Sequence, residues 1–280
     1  MDCLPPASIA EATIAAGQKK SSLNVAQLII LGMLAGAYIG FGAQLYSLVV
    51  SDLPQFAGFG LTKLVGGLCF SVGLVFVVLG GAELFTGNSL IAVAALSGRT
   101  PWRRVARNWA WVYAANLAGS FLLALVVFGA KQYSLNSDVV GAGALKIAVA
   151  KVNMPFWTAF LRGLLCNWLV CLAVWMATGA ADSAGKVIAI IVPITTFVAS
   201  GFEHSVANMY FIPMGLMLKN VSSVVAAAGP LPGIERLTWG TGFLVRNLLP
   251  VTAGNLAGGI VFVACAYWVA YLLPSRGKGR

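Results

Sequence analysis

Long apolar runs dominate the chain, and their lengths indicate membrane-spanning helices. The runs lie at about residues 25–50, 63–96, 107–130, 157–178, 186–218 and 246–273. Each is as long as the stretch of about 20 residues that a helix needs to cross a bilayer. The pattern predicts six transmembrane helices, which places both ends of the chain on the same side of the membrane.

Two of these runs are too long to be single helices. The runs at 63–96 and 186–218 would each reach about 50 Å as continuous helix, whereas the hydrocarbon core measures about 30 Å. Glycines and small polar residues interrupt both runs, in GGAELFTGN (80–88) and in ASGFEHSVAN (199–208). Lipid cannot satisfy the hydrogen bonds of irregular backbone, so such a segment lines a cavity or is buried in protein. We therefore expect the second and fifth helices to be broken at these places.

The chain also contains an internal repeat. The third run opens RNWAWVYAANLAG (107–119) and the sixth opens RNLLPVTAGNLAG (246–258), so Arg-Asn precedes Asn-Leu-Ala-Gly twice at the same spacing. The two interruptions correspond as well, because Gly-x-Glu-x4-Asn occurs at 81–88 and at 201–208. Each half holds three spans, so the second half is inverted in the membrane. In inverted-repeat transporters the broken helices meet near the midplane and form the substrate site.

These patterns predict an all-α integral membrane protein made of a single membrane domain, 1–280. The first repeat is expected to cover 21–130 and the second 131–273, followed by a basic C-terminal tail, 274–280. Residues 1–20 lack the early positive charge and long apolar core of a signal peptide. We expect them to form a helix at the membrane surface.

Composition supports this class and adds an orientation. The chain is 59% hydrophobic and 9% charged, against about 25% charged residues in soluble domains. Its net charge of +10 lies mostly at the ends of the runs, which suits an anionic lipid surface rather than nucleic acid. Basic residues are concentrated in the loops on the side of the termini, so the positive-inside rule predicts cytoplasmic termini. These residues are Lys19, Lys20, Arg99, Arg103, Arg104, Arg107, Lys186, Arg276, Lys278 and Arg280.

The candidate chemistry centres on one histidine. His204 is the single histidine of the chain and follows Glu203 inside the second interruption. An ionisable pair at membrane depth indicates a functional site, and an imidazole, with a reference pKa of about 6.5, exchanges protons near neutral pH. The structural alternative is that His204 caps a broken helix, while Glu203 and Glu83 bind freed backbone amides. Cysteine spacings suit neither zinc nor disulfides, so we expect no metal, no cofactor and no enzyme site.

Several segments resemble the formate/nitrite transporter family. They are KLVGGLCFSVGL (63–74), GAELFTG (81–87), CNWLVCLAVWMA (166–177), FVASGFEHSVANM (197–209) and PVTAGNLAGG (250–259). The resemblance covers nearly the whole chain and implies an aquaporin-like bundle that forms a homopentamer with one pore in each protomer. It also implies a small monovalent anion as cargo. The first segment favours formate, with nitrite and hydrosulfide as alternatives.

The resemblance implies roles for individual residues. His204 matches the central histidine of the family, Glu203 its acidic neighbour, Lys151 a lysine of the vestibule, and Thr86 the threonine of the loop that interrupts the second span. The other matches are the gating hydrophobic residues Leu84 and Phe85, the apolar constrictions Phe70, Leu74 and Phe197, and two asparagines near the histidine, Asn167 and Asn255.

Energetics suggest how such a site works. Moving a carboxylate into low dielectric costs of order 20 kcal/mol in the idealised limit, whereas protonating an acid of pKa near 4 at pH 7 costs about 4 kcal/mol. We therefore expect Lys151 to attract the anion and His204 to pair with it or protonate it, with Glu203 fixing the imidazole. Hydrogen bonds that replace lost hydration would come from Thr86, Asn167 and Asn255. The competing hypotheses are a neutral-solute pore, for which the paired Asn-Pro-Ala motifs are lacking, and a membrane-embedded enzyme.

Overall fold

The computed structural model describes residues 3–273, and the elements in this range are helices. They are α1 (Pro6–Ser22), α2 (Val25–Val50), α3 (Pro54–Gly80), α4 (Ile91–Leu96), α5 (Trp102–Gly129), α6 (Val139–Val152), α7 (Phe156–Gly179), α8 (Ser183–Ala199), α9 (Ser205–Leu218), α10 (Ser222–Ala228) and α11 (Trp239–Leu272). Short 3₁₀ turns occupy Gly87–Leu90, Gln132–Ser134 and Ile234–Arg236. The expected basic tail, 274–280, lies outside the described residues.

Five helices are long and apolar enough to cross a membrane alone: α2, α3, α5, α7 and α11. The predicted second span ends as α3 at Gly80 and resumes at Gly87, and the predicted fifth span is divided into α8 and α9. The all-helical membrane fold with broken second and fifth helices is confirmed. The chain then turns by 107° between α9 and α10.

A glycine sits at each break. Gly81 follows α3 with a φ of 74°, and Gly201 follows α8 with a φ of 71°. Glycine adopts this left-handed conformation without the steric cost that a Cβ imposes, and it ends helices for that reason. The two breaks therefore begin with the same local geometry.

The repeated Asn-Leu-Ala-Gly segments lie where helices approach closely. α5 packs along α2, and α11 packs along α7. Gly119 and Gly258 end the two segments, and a Cβ at either would overlap backbone atoms of Met33 in α2 or Leu164 in α7. Small residues at membrane-helix contacts allow this approach, which accounts for the glycine of the repeat.

The helices α1 and α6 occupy equivalent places in the two halves. Each carries a lysine in its last turn, Lys20 in α1 and Lys151 in α6. The sequence did not predict α6, because its 14 residues are too few to span a bilayer. The predicted helix α1 packs against the protein, with Ile9, Ala10 and Ile14 buried on α4 and α7. Helix α1 therefore contacts both halves of the bundle.

Candidate functional site between the two broken helices

A closed ring of hydrogen bonds holds the first break. The Glu83 carboxylate accepts from Lys20 Nζ at 2.6 Å and from Asn88 Nδ2 at 2.7 Å. Asn88 Nδ2 also donates to Asn108 Oδ1, and Asn108 Nδ2 donates to the carbonyl oxygen of Lys20. Glu83 is 4% exposed, and a buried carboxylate is tolerated when a cation and further donors satisfy it.

The second break has the same ring. Glu203 accepts from Lys151 Nζ at 2.8 Å and from Asn208 Nδ2 at 2.7 Å. Asn208 Nδ2 donates to Asn247 Oδ1, and Asn247 Nδ2 donates to the carbonyl oxygen of Lys151. The expectation that Glu203 fixes the imidazole of His204 is wrong for this structure. Both carboxylate oxygens are bonded to the lysine and the asparagine, because the buried charge needs a cation beside it.

The side chain of Asn116 braces the first break by binding backbone groups. Its Nδ2 donates to the carbonyl oxygens of Gly32, at 2.7 Å, and Glu83, at 2.9 Å, while its Oδ1 accepts from the amide of Phe85 at 2.9 Å. These bonds join α2, α5 and the interrupted segment. The side chain thereby satisfies backbone groups that lipid could not.

Asn255 does the same in the second break. Its Nδ2 donates to the carbonyl oxygens of Gly163, at 2.7 Å, and Glu203, at 2.9 Å, and its Oδ1 accepts from the amide of Ser205 at 2.9 Å. Since its polar atoms are bonded to backbone in the same pattern as those of Asn116, the geometry gives Asn255 a bracing role. The expected hydrogen bond from Asn255 to cargo has no free donor here.

His204 meets Thr86 at the point where the two breaks converge. His204 Nδ1 accepts from the amide of Ala207 at 3.1 Å and so caps α9, as the structural alternative expected. A nitrogen that accepts carries no hydrogen, so the neutral ring is protonated at Nε2. Nε2 lies 2.9 Å from Thr86 Oγ1 and donates to it. His204 is 3% exposed and Thr86 is fully buried, so this bond is shielded from solvent.

Two cavities approach this hydrogen bond from different directions. The first, the Lys151 cavity, measures about 200 Å³ and is lined by Lys151, Glu203, His204, Lys63 and Arg162, among others. The second, the Lys20 cavity, measures about 470 Å³, and its walls include Lys19, Lys20, Glu83 and Leu31. A water molecule takes a share of about 30 Å³ in the liquid, so either cavity can hold a hydrated small anion.

Apolar side chains line both cavities close to the buried pair. Phe70 and Phe197 line the Lys151 cavity and pack edge to face, with ring centroids 5.7 Å apart. The Phe197 ring also lies 6.0 Å from the imidazole of His204. Leu74 and Leu84 line the Lys20 cavity. Of the expected constriction residues, Phe70 and Phe197 thus line the cavity that His204 also lines, whereas Leu74 lines the other cavity.

Two other expected site residues have distinct places. Asn167 Nδ2 donates to the carbonyl oxygens of Thr86 and Asn255 and to a serine hydroxyl, whereas its buried Oδ1 has no hydrogen-bond partner among the described residues. Asn167 therefore offers an acceptor next to the Thr86 loop.

Phe85 packs on Tyr113, with ring centroids 4.7 Å apart, and lies outside the walls of both cavities.

Sequence reasoning named Glu203 and Lys151 as site residues through the family resemblance. It missed the other members of the two rings, which are Lys20, Glu83, Asn88, Asn108, Asn208 and Asn247. The asparagines had a signal, because Glu-x4-Asn and Arg-Asn both recur in the repeat. The lysines gave no such signal in the repeat, since Lys20 lies 63 residues before Glu83 and Lys151 lies 52 residues before Glu203. A repeat search at fixed spacing does not align these two lysines.

Comparisons with known proteins agree with this architecture. The family model described as Formate/nitrite transporter matches residues 7–269. The formate channel FocA of Escherichia coli (strain K12) is 39% identical over 274 residues, covering 97% of this chain and 95% of that protein. The probable formate transporter of Methanothermobacter thermautotrophicus is 40% identical over 284 residues, covering 95% of this chain and 97% of that protein.

Solved structures show the same fold. A structure described as a pentameric formate channel with formate bound has a TM-score of 0.79 and 38% sequence identity, covering 89% of this chain and 98% of that one. Another, described as an FNT family ion channel, has a TM-score of 0.77 and 29% identity, covering 94% and 98%. The match along nearly the whole sequence and the shared fold show that this multi-pass membrane protein belongs to the formate/nitrite transporter family.

Proposed function

We propose that this protein is a transmembrane channel or transporter for small monovalent anions of weak acids, with formate as the first candidate cargo. The relatives named above are a formate channel and a probable formate transporter. The observation that carries the proposal is the Thr86–His204 hydrogen bond, which joins the loops of two breaks between two cation-lined cavities. Nitrite is the second candidate, because the family description includes it.

The anion is first attracted by lysine. An ammonium group has three donors, and Lys151 directs one of them to Glu203 while lying 5.2 Å from the ring of Phe211. Donors remain for an anion in the cavity. Lys20 has less freedom, since it donates to both Glu83 and Asn88.

The central step is neutralisation by the buried pair. A bare anion passing Phe70 and Phe197 loses its hydration at a cost of several kcal/mol. The Nε2 hydrogen of His204 and the hydroxyl of Thr86 supply polar contacts at that depth. To give up a whole proton, the ring must first be protonated at Nδ1, which breaks the bond from the amide of Ala207. We infer that hydrogen bonding to the anion comes first and that proton transfer is coupled to loosening of this cap.

The neutral acid then finds a suitable partner in Asn167. Its buried Oδ1 lacks a partner among the described residues, and an oxygen acceptor binds the O–H of a protonated acid rather than a carboxylate. Asn167 thereby favours the neutral form beside the Thr86 loop. This role differs from the expected donation to the anion.

We further propose a homopentamer in the inner membrane, with both termini in the cytoplasm. The related solved structure is pentameric, and the basic residues of this sequence cluster on the side of the termini. In this orientation the Lys20 cavity, which α1 helps to line, is on the cytoplasmic side. Lipid and protons are then the other partners of the protein.

Purified protein in liposomes tests the proposal. Uptake of formate, nitrite and hydrosulfide is measured across pH, with and without a proton gradient, for wild type and His204→Asn. Losing a positioned proton donor lowers rates by about 10²-fold or more, so we expect formate uptake by the variant to fall by that factor. Equal rate and pH dependence in the two proteins would show that His204 does not act on the anion.

A swelling measurement separates the neutral-solute alternative. Stopped-flow light scattering with glycerol or water reports a neutral pore, and formate-driven flux reports an anion pathway. Fast glycerol permeation without formate flux would favour the neutral pore. Size-exclusion elution of His204→Asn at the wild-type position controls for folding and assembly.

A further inference from the structure

The pseudo-symmetry identifies an unmatched cation in the Lys151 cavity. The amide of Glu203 donates to the carbonyl oxygen of Arg162 at 3.2 Å, and the amide of Glu83 donates to that of Leu31 at 3.2 Å. Arg162 and Leu31 therefore hold equivalent positions in the two halves. Each lines its own cavity, so the same place carries a guanidinium on one side and an isobutyl group on the other.

The charges of the two cavities also differ. The Lys151 cavity has three cationic side chains, Lys63, Lys151 and Arg162, and one carboxylate, Glu203. That carboxylate is already bonded to Lys151 and an asparagine. Neither Lys63 nor Arg162 takes part in an ion pair with another described residue. The cavity therefore holds two cations that no carboxylate of the described chain neutralises.

The contacts of these two cations leave them available. The Lys63 ammonium lies 5.5 Å from the ring centroid of Phe59, and Arg162 Nη1 makes a long contact of 3.5 Å with the carbonyl oxygen of Gly201. A guanidinium presents a planar fork of donors that fits a carboxylate with two parallel bonds, whereas an ammonium adds a point charge. Both groups have donors to spare.

We propose that Lys63 and Arg162 form a capture site for a small carboxylate in the Lys151 cavity, distinct from Lys151 and the central histidine. The site rests on the proposed anion transport and adds an asymmetry to it. Because Leu31 stands at the place of Arg162 in the Lys20 cavity, flux entering from the Lys151 side saturates at a lower anion concentration than flux entering from the Lys20 side. Arg162 is exposed, so salt screens its effect.

The matched variants are Arg162→Leu and Leu31→Arg, which interchange the equivalent residues one at a time. Formate flux is recorded at low ionic strength with formate added to one side at a time, as current in planar bilayers and as labelled-formate uptake in oriented liposomes. Labelling of the exposed Cys3 with an impermeant maleimide identifies the side of α1. An exposed charge pair is worth up to about 1 kcal/mol, so Arg162→Leu should raise the half-saturating concentration on the Lys151 side about fivefold.

Several readouts distinguish this site from a structural role of Arg162. We expect Arg162→Leu to keep its maximum current and its half-saturation on the Lys20 side, and Leu31→Arg to lower half-saturation on the Lys20 side. The half-saturating concentration of Arg162→Lys on the Lys151 side should lie between those of wild type and Arg162→Leu, since lysine keeps the charge but lacks the planar fork of donors. Adding an impermeant salt should shrink the differences between these proteins.

Two outcomes overturn the capture site. One is an unchanged half-saturation in Arg162→Leu at low salt, which leaves the proposed transport function intact. The other is a lower maximum current with unchanged half-saturation, which would show that Arg162 positions the break through Gly201. If wild type moves no formate from either side, neither as current nor as labelled-formate uptake, the proposed function itself fails, and the site fails with it.

Discussion

Each break is held by a set of side chains that we call its frame. The two frames are alike, but the four residues that they enclose differ. In each, a lysine, a glutamate and two asparagines form a ring, and a further asparagine binds the backbone. The four residues between the glutamate and the next asparagine of the ring are Leu-Phe-Thr-Gly in the first half and His-Ser-Val-Ala in the second. One loop thus supplies the hydroxyl of Thr86, and the other supplies the imidazole of His204. The two halves share the backbone arrangement of the break. The polar contact at the centre forms because the enclosed residues of the two halves differ.

The frames also hold their lysines differently. Lys20 is 33% exposed in its side chain and donates to Asn88 Oδ1 as well as to Glu83. Lys151 is 13% exposed, and the Oδ1 of Asn208 has no hydrogen-bond partner among the described residues. The ammonium of Lys20 therefore makes two hydrogen bonds within its ring, whereas that of Lys151 makes one. We therefore expect Lys151 to interact with cargo more readily than Lys20.

The largest effect should come from inverting the central pair. His204→Leu combined with Leu84→His moves the imidazole to the equivalent place in the first break, where it faces Val206 instead of a threonine. We expect formate flux to fall by about 10²-fold. Adding Thr86→Val and Val206→Thr re-forms the pair in the opposite sense and should restore part of the flux, measured in liposomes.

The double and quadruple variants control for each other. If the double variant alone transports formate as wild type does, the threonine contact is irrelevant. If both variants elute as intact oligomers and neither transports, the two frames do not present their loops equivalently. Either result would break the proposed symmetry of the site.

The next effect concerns the stability of the two ion pairs. Lys151→Ala leaves the buried Glu203 without its cation and should cost about 3 kcal/mol. Lys20→Ala should cost about 1 kcal/mol, because its ammonium is more exposed to solvent. Thermal unfolding in detergent, followed by tryptophan fluorescence, measures both losses. Equal losses would show that the frames are equally buried in the assembled protein, contrary to the comparison.

A smaller and equal effect is expected for the two bracing asparagines. Asn116→Ala and Asn255→Ala each remove three hydrogen bonds to backbone, at about 1 kcal/mol per bond. Repacking around the shortened side chain and entry of water offset part of that loss. We therefore expect the free energy of unfolding to fall by about 2 kcal/mol in each variant, again measured by thermal unfolding. Formate flux per folded protein should change alike in both variants. A flux loss confined to Asn255→Ala would mean that Asn255 contacts the cargo.

The smallest perturbation tests the inversion of the halves. Cys3 and Ser137 are exposed and lie in loops expected on opposite sides of the membrane. In right-side-out vesicles an impermeant maleimide should label Cys3→Ser/Ser137→Cys and leave the wild-type Cys3 unlabelled. Labelling of both from one side would contradict the arrangement of three spans per half. Cys3→Ser alone gives the background from the other cysteines.

The sequence predicted the breaks and the repeat because both leave local marks. Glycine ends a helix wherever it occurs, and Gly81 and Gly201 interrupt runs that are too long for the bilayer. The same reasoning found His204, since an imidazole at that depth is conspicuous. Such features depend on a few adjacent residues and need no knowledge of packing.

Other parts of the site depend on contacts between distant segments. Lys20 is an ordinary basic residue in sequence, and its bond to Glu83 exists because α1 folds back on the first break. The role expected for Glu203 was wrong because sequence adjacency to His204 does not set the direction of a side chain. Lys151 was identified only through the family resemblance. Arg162 becomes notable only when the structure aligns it with Leu31.

The self-contained frames have a consequence for how such proteins diversify. Each ring of lysine, glutamate and asparagines holds its loop without relying on the Thr86–His204 contact. Point substitutions among the four enclosed residues can therefore alter selectivity while the backbone that presents them is retained. A duplicated segment with this property can keep one copy as scaffold and vary the other, so new cargo specificities can evolve without a new fold.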